Sequence, residues 1–367
     1  MFLNRKSVCL IGFVLTIFSA GALAADRPSS SRTTFQIQVG LDGEIYPALA
    51  NYASLQGQSD RRFGVITVTI SNPTANATRE KVSVQVLGWS DQETQVADLA
   101  PGTSQTLTFA PSFLPRFYRN HEIVAATTQV SVADMDGHNV FEATTPVRLR
   151  SSEDMYWGPG FKYAAFIASW VTPHDPLVEA VLAKAKLYTA DHRLPGYEDW
   201  KGAGEQELET YNEAKAIYTA LQRMGLSYVK SSMTLGGHSE YSERVRMPQV
   251  SLNETSMNCI DAAVMYSSLF ENLGMDAKVI IVPGHAYVGV RVAAKSSKFL
   301  LIDVALTGRV PFEAAVASAE KGMARQQPSS VIQVVIPEAR SAGIYPMPEG
   351  REDPFVRSSQ TTLAGHP

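Results

Sequence analysis

The sequence is poor in cysteine and has no strongly basic segment. Of its 367 residues only two are cysteine, and Lys and Arg (32) are slightly outnumbered by Asp and Glu (36). The formal net charge of -4 argues against nucleic acid as a partner. No Cys-x-x-Cys or His-Glu-x-x-His pattern occurs, so we predict neither a metal site nor a cofactor. A requirement for calcium is left open.

Long apolar runs are also missing, apart from one near the N-terminus. Arg5 and Lys6 precede an apolar run over residues 8–18, and an Ala-Leu-Ala sequence then ends at Ala24, which is the order of a secretory signal. The run is shorter than the roughly 18 residues that a membrane-spanning helix needs. We therefore predict that residues 1–25 are a signal peptide, that no membrane span remains after its cleavage, and that the protein is exported, to a periplasmic or extracellular compartment.

Cleavage of this signal would leave a single thiol. Cys9 lies within the apolar run, so Cys259 would be the only cysteine of the mature chain, and no intramolecular disulfide could form. An isolated cysteine is most often a small buried apolar residue. The evidence for or against a reactive Cys259 must therefore come from the sequence around it.

Residues 33–150 carry the alternation of polar and apolar residues that is typical of short β-strands. The segments are Phe35–Val39, Val65–Ile70, Lys81–Val86, Gln105–Phe109, Gln129–Val132 and Val140–Ala143. Between the last two, Asp134-x-Asp136-Gly137 indicates a hairpin turn and not a calcium loop, because the remaining EF-hand ligands do not follow. The pattern predicts an antiparallel β-sandwich of immunoglobulin-like size with no catalytic grouping.

Residues 155–345 show helical periodicity followed by strands, which predicts an α+β domain. Asp175-Pro176 is a helix start, with Asp175 as the N-cap, and the helix would continue to about Tyr188. A longer helix is predicted over 205–224, with Leu208 on its apolar face. From residue 346 to 367, Pro, Gly, Ser and charged residues dominate, and we expect a flexible tail.

Cys259 opens an apolar-periodic run that predicts a buried helix ending at Gly274. Three residues are available as its N-cap, namely Thr255, Ser256 and Asn258. In the first helical turn, backbone N–H groups and the positive end of the helix dipole stabilise a thiolate. The Cys259 N–H would also be one donor to an oxyanion. Candidates for the second donor are Asn258, Gln249, Asn253 and Tyr228.

Three strands are predicted after this helix. They are Lys278–Val282, then His285 to about Val292 after a bend at Pro283-Gly284, and Phe299–Val304. Antiparallel pairing of the last two brings Asp303 near the start of the preceding strand, where His285 lies. An aspartate in an otherwise apolar strand needs a partner, and His285 is the best placed.

The run from Cys259 through Gly284-His285-Ala286-Tyr287 to Leu301-Ile302-Asp303 closely resembles the transglutaminase-like superfamily of cysteine enzymes. The resemblance covers about residues 206–308. It implies a papain-like α+β fold and a triad with Cys259 as nucleophile, His285 as general base and then acid, and Asp303 orienting the imidazole. Two features depart from the family. Tyr287 stands where many members carry Trp, and Met257-Asn258 precedes the cysteine where crosslinking members carry Gly-x-Cys.

These residues predict an exported cysteine peptidase or amidase that hydrolyses a peptide or protein amide, with cell-envelope proteins among the candidate substrates. One alternative is transfer of the acyl group to an amine by a protein-glutamine transglutaminase, or deamidation. Another is a catalytically inactive module that binds a partner through the β-sandwich. The sequence predicts no oligomeric state.

Overall fold

The computed structural model describes residues 33–56, 65–198, 202–230 and 241–348. The predicted signal peptide (1–25) and residues 349–367 of the predicted tail lie outside the described residues. The protein is mixed α/β with several sheets, most of them antiparallel, and the described residues divide between Arg150 and Ser151 into two compact units. No helix in the described ranges is both long and apolar enough to cross a bilayer.

The first unit contains two sheets. Its strands are β1 (Thr34–Val39), β2 (Glu44–Ile45), β3 (Ile66–Ser71), β4 (Thr78–Val86), β5 (Glu93–Leu99), β6 (Ser104–Phe109), β7 (Val124–Asp134) and β8 (Asn139–Leu149). One sheet has the order β1-β3-β6 and the other the order β2-β8-β7-β4-β5. All pairs are antiparallel except β2 with β8. The predicted alternation is confirmed in β3 and β4, where every second side chain is buried.

Two helices of the first unit were not predicted. They are α1 (Pro47–Gln56) and the short α2 (Pro115–Tyr118). The side chains of 47–53 are all buried, so α1 lacks the one-sided apolar pattern by which a surface helix is recognised in a sequence. Pro at the first helical position and three alanines nevertheless suit a helix.

The second unit contains most of the helices. They are α3 (Pro176–Ala185), α4 (Ala203–Arg223), α5 (Pro248–Glu254), α6 (Cys259–Asn272), α7 (Phe312–Met323) and α8 (Ile336–Ser341). The predicted cap of α3 is confirmed, because the Asp175 carboxylate accepts the Leu177 N–H at 2.7 Å. The prediction for Leu208 is wrong: its side chain is 60% exposed. The buried face of α4 instead includes Thr210, Glu213 and several alanines, small or polar residues that the apolar pattern did not indicate.

The strands of the second unit are β9 (Asp154–Tyr156), β10 (Ser227–Tyr228), β11 (Ser242–Arg244), β12 (Ser256–Met257), β13 (Ala277–Val282), β14 (His285–Arg291), β15 (Phe299–Ile302) and β16 (Ile332–Val335). A four-stranded antiparallel sheet has the order β15-β14-β13-β16. Helix α6 packs against β13 and β14, and α7 packs against β15. Two further pairs, β9 with β11 and β10 with β12, lie outside this sheet.

The tail of the second unit is packed at its start. Met347 is 2% exposed, and its N–H donates to the Ser169 carbonyl at 2.9 Å. Ile344 is buried as well. The ordered part of this unit therefore reaches at least Met347, beyond the predicted boundary at residue 345.

Candidate active site

Cys259 is the first residue of α6, and a capping box fixes the backbone that leads into it. The Asn258 side-chain oxygen accepts the Asp261 N–H at 2.8 Å, and the Asp261 carboxylate accepts the Asn258 N–H at 3.0 Å. Each side chain satisfies a backbone donor that the helix itself leaves unpaired. Of the three caps the sequence allowed, the structure uses Asn258. The Cys259 side chain itself is partly exposed.

Arg246 reinforces this helix start. Asp261 is fully buried, and Arg246 donates to its carboxylate through the backbone N–H (2.8 Å) and through Nε (2.9 Å). The Nη1 group of Arg246 also donates to Glu254 and to Ser256, each at 2.8 Å. Sequence reasoning missed this cluster, although the Asn258-x-x-Asp261 spacing was a signal for the capping box. The first turn of α6 is thus held from outside the helix.

His285 is delivered by a tight hairpin. Val282 of β13 pairs with His285 of β14, so only Pro283 and Gly284 connect the strands. Gly284 has a φ of 74°, in the left-handed region that glycine adopts without strain. His285 is therefore the first residue of its strand, at the end of the sheet where α6 begins.

The His285 ring lies between the carboxylate of Asp303 and the thiol of Cys259. Nε2 lies 2.9 Å from Asp303 Oδ1, and the ring is close enough to Cys259 for the thiol to raise its pKa. Since Nε2 is taken by Asp303, Nδ1 is the nitrogen left for the thiol. The hydrogen bond to Asp303 and the interaction with Cys259 outweigh the effect of burial and raise the pKa of His285 to about 9.

Asp303 lies just beyond the end of β15, and the prediction that the strand continues to Val304 is wrong. The last paired residue is Ile302, opposite Val288, and Asp303 instead precedes a 3₁₀ helix over Val304–Leu306. The strand cannot continue, because the Asp303 N–H donates to the Ala315 carbonyl of α7 at 3.1 Å. The expected proximity to His285 nevertheless holds.

Ser318 holds the second oxygen of the Asp303 carboxylate. Its hydroxyl donates to Oδ2 at 2.8 Å, while Oδ1 contacts His285. Asp303 is only 6% exposed, so both oxygens need partners within the protein. Ser318 was not predicted, and no sequence signal indicated it, because its position depends on how α7 packs against β15.

The turn after Asp303 is fixed by two buried tyrosines. Tyr218 of α4 donates to the Leu306 and Val310 carbonyls at 2.8 and 2.9 Å. The hydroxyls of Tyr266, on α6, and Thr307 lie 2.8 Å apart. Hydrogen bonds from two helices therefore restrict the segment that carries the carboxylate.

Tyr287 packs against His285. It is the residue at which the sequence departs from the Trp of many transglutaminase-like proteins. The rings of His285 and Tyr287 meet edge to face, with centroids 4.6 Å apart and an interplanar angle of 87°. This contact restrains the tilt of the imidazole. On its other side Tyr287 joins Ile280, Val282 and Ala319 in a buried cluster, so α7 supports His285 as well as Asp303.

Cys259 and His285 open onto a groove of about 850 Å³. Its wall carries aromatic side chains (Trp157, Phe161, Tyr228), charged ones (Lys230, Glu243, Arg244) and the hairpin residues 281–286. A groove of this volume lies within the range of sites that enclose a small ligand or several residues of a peptide. All of these residues belong to the second unit.

The four candidates for a second oxyanion donor fall into two pairs. Tyr228 and Asn258 line the groove together with Cys259, whereas Gln249 and Asn253 are not among the described residues that line it. The side-chain oxygen of Asn258 is engaged in capping α6. The parallel pairing of β10 with β12 places Tyr228 opposite Met257, two residues before Cys259. Burial and the nearby Cys259 charge raise the pKa of Tyr228, so its hydroxyl stays a donor.

One cluster in the described residues has metal-ligand geometry, and it lies in the first unit. The ligand atoms of Asp134, Asp136 and His138 lie within 4.8 Å of one another. Asp134 Oδ1 accepts the backbone N–H groups of Asp136 and His138, at 2.9 and 2.8 Å, and Oδ2 contacts His138 Nδ1 at 2.9 Å. These contacts are those of the predicted hairpin turn between β7 and β8.

Comparison with known proteins assigns the chain to no family. No protein-family model matches it, and no curated protein matches it. A solved structure, "Crystal structure of FixG-related protein from Vibrio parahaemolyticus", is similar to part of the chain at 16% identity. It covers 33% of this chain and 97% of its own, with a TM-score of 0.20, a likeness too low to support an argument. The transglutaminase-like assignment therefore stays a prediction.

Proposed function

We propose that the protein is an exported cysteine peptidase or amidase of the transglutaminase-like superfamily, acting on a peptide or protein amide. The observation that carries this proposal is the position of His285, hydrogen bonded to Asp303 and close enough to Cys259 for the thiol to raise its pKa. A nucleophile, a base and an orienting group in contact are what covalent acyl transfer requires. Cys259 also opens onto a groove that could receive a substrate.

In the proposed mechanism His285 takes the proton of the Cys259 thiol, and the thiolate attacks the carbonyl carbon of the amide. The raised pKa of His285 favours the imidazolium that this transfer creates. His285 then gives its proton to the departing amine, which leaves a thioester on Cys259. A water molecule, deprotonated by His285, attacks the thioester and releases the carboxylic acid.

The negative oxygen formed in each attack needs two donors. The Cys259 N–H is at the first position of α6 and has no acceptor within the helix. Tyr228 is the candidate best supported for the second, because it lines the groove and its hydroxyl stays protonated. Preorganised donors of this kind commonly account for about a hundredfold or more in turnover.

The proposal also covers the fold of the two units. We infer an immunoglobulin-like β-sandwich in the first unit, supported by its two sheets of three and five strands, in which all pairs except β2 with β8 are antiparallel. We infer a papain-like arrangement in the second, supported by a helix that begins at a cysteine and packs on the strands carrying His285 and preceding Asp303. The β-sandwich would bind or space a partner, and takes no part in the chemistry.

Alkylation of Cys259 tests the proposal without a known substrate. In a Cys9→Ser background Cys259 is the only thiol, and we expect iodoacetamide at pH 7 to modify it at least about tenfold faster than glutathione, because a thiolate and not a thiol reacts. His285→Gln should abolish the advantage. A wild-type rate no higher than that of glutathione would sink the proposal.

Digestion of a cell-envelope peptide library then tests the reaction itself. Cleavage by the wild type that is lost in Cys259→Ala supports hydrolysis. Incorporation of a labelled amine into a glutamine-containing protein, without cleavage, would replace the peptidase with a transglutaminase. Cleavage that persists in Cys259→Ala would contradict the assignment of the nucleophile.

A further inference from the structure

Glu243 is a carboxyl group in the wall of the groove that the proposed mechanism does not use. It lies on β11, opposite Met155 of β9, and lines the same groove as Cys259 and His285. Trp157 lines this groove as well, and its indole favours the ionised carboxylate, because it lowers the pKa of Glu243. Tyr228 lies near both Glu243 and Cys259, since the charges of both act on its hydroxyl. The carboxylate therefore faces the region where a substrate would lie.

No cation of the protein neutralises this carboxylate among the described residues. Arg244, its neighbour in the sequence, is paired with Glu153. Arg246 is paired with Asp261 and Glu254. The charge that acts on the pKa of Glu243 is the negative charge of Asp261, which raises it. A half-buried carboxylate without a cation is costly, and that cost falls when a ligand brings a positive charge.

We propose that Glu243, Trp157 and Tyr228 form a subsite for a positively charged group of the substrate, an ammonium or guanidinium carried by a peptide. Trp157 and Tyr228 line the same groove as the carboxylate, and each interacts with it. Aromatic faces attract such cations. This inference rests on the proposed function, because it assigns specificity to the groove in which Cys259 would act. Lys230 lines the groove too and is not ion-paired with Glu243 in the part of the chain that the structure describes.

The subsite should depend on pH. Burial raises the pKa of Glu243 to about 7, with a further contribution from Asp261, while Trp157 opposes it. Above pH 7 the group is ionised and attracts a cation; below it, the attraction is lost. The other titratable or charged groups facing this part of the groove are Tyr228, Lys230, Arg244, Cys259 and His285.

Charged thiol reagents test the subsite directly. In the full chain carrying Cys9→Ser, Cys259 is treated with 2-aminoethyl methanethiosulfonate (a cation), its 2-sulfonatoethyl analogue (an anion) and the neutral methyl reagent. At pH 8.5 we expect the ratio of the cationic to the anionic rate to fall about five- to tenfold in Glu243→Gln, the effect of one unit charge at a protein surface. Glu207→Gln, an exposed position on α4, is the matched control and should leave the ratio unchanged.

Two outcomes would overturn the subsite. One is an equal ratio in the wild type and in Glu243→Gln, and the other is an equal fall in Glu207→Gln. If Glu243→Gln does not fold, as judged by circular dichroism, the protein that carries Cys9→Ser alone provides the test. Its ratio of the cationic to the anionic rate should rise between pH 6 and 8, and a constant ratio rejects the proposal.

Failure of the proposed function gives a different result. If the neutral reagent modifies Cys259 no faster than it modifies glutathione, the cysteine is not activated and the proposed function fails. The ratio of the cationic to the anionic rate would still report on the charge of Glu243. With a cleavable peptide in hand, Glu243→Gln should lower kcat/KM for a lysine-containing peptide about tenfold and leave its norleucine analogue within twofold. Equal losses for the two peptides would reject the subsite and keep the peptidase. Peptides with a free α-amine or an arginine in place of lysine then identify the source of the cation.

Discussion

Replacing Asp303 by Asn removes the negative charge that His285 contacts at 2.9 Å and keeps a side chain of the same size. The pKa of His285 is raised from 6.5 to about 9, and the hydrogen bond to Asp303 is the largest cause. A rise of that size corresponds to about 3 kcal/mol in favour of the imidazolium. The His285 side chain is 29% exposed, so solvent screening reduces the part due to Asp303 to about 2 kcal/mol. The pKa of His285 should therefore fall below about 8 in Asp303→Asn.

Nuclear magnetic resonance of the histidine ring measures this pKa. The chain has seven histidines, and His285→Gln identifies the signal that belongs to His285. Cys259→Ala should lower the pKa less than Asp303→Asn does, because Cys259 is the second cause and not the first. A wild-type value near 6.5, or one that Asp303→Asn leaves unchanged, would refute the pairing.

Stability gives an independent measurement with a defined sign. A histidine whose pKa is higher in the folded than in the unfolded state stabilises the protein fully below pH 6.5, and this contribution disappears as pH rises through about 9. Asp303→Asn should therefore lower the free energy of unfolding by about 2 kcal/mol more at pH 6 than at pH 10. Urea denaturation of both proteins at the two pH values checks it, and an equal loss at both would contradict the reasoning.

Three further predictions concern residues around the site. Ser318→Ala removes the hydrogen bond to one oxygen of Asp303, and should broaden the pH profile of Cys259 alkylation and lower turnover about tenfold. Ser318→Thr should restore both, and a Ser318→Ala profile identical to that of the wild type would show that Ser318 is dispensable. Tyr228→Phe should lower the rate of amide cleavage about a hundredfold with little change in Cys259 alkylation, and an equal loss in both assays would argue for a structural role. Glu213 is buried on α4, accepts the Gly196 N–H at 3.1 Å, and has a pKa that burial raises to about 8. Its ionisation opposes folding as pH rises from 4.5. Glu213→Gln should therefore raise the free energy of unfolding by about 5 kcal/mol at pH 9 and hardly at all at pH 4, and a gain that is independent of pH would refute the assignment.

The parts of the site that depend on short-range sequence could be predicted. Cys259 at a helix start follows from the cap, the apolar period and Gly274, and His285 at a strand start follows from the Pro-Gly turn. The proximity of Asp303 to His285 follows from the antiparallel pairing of β14 with β15, although Asp303 itself lies just beyond the paired residues. In each case the residues that fix the position lie in the same secondary-structure element or in the next one along the chain.

Contacts between distant elements were not predictable in the same way. Ser318 reaches Asp303 because α7 packs on β15, and Arg246 reaches Asp261 from the segment before α5. Neither side chain has a recognisable spacing from its partner. The same limit explains α1, whose buried residues on all sides conceal the helical period.

The two carboxylates near Cys259 differ in what surrounds them, and this difference separates their roles. Asp303 has one oxygen on His285 and the other on Ser318, so in the proposed site it would position the imidazole, and it has little capacity to bind a ligand. Glu243 has the Trp157 indole and no cation among the described residues, and burial keeps its pKa near 7. Two acidic groups in such different environments commonly have different functions. A positively charged group of the substrate would pair with Glu243 and leave Asp303 undisturbed. The charge of the substrate should therefore affect KM through Glu243, and the pH profile of kcat should follow His285.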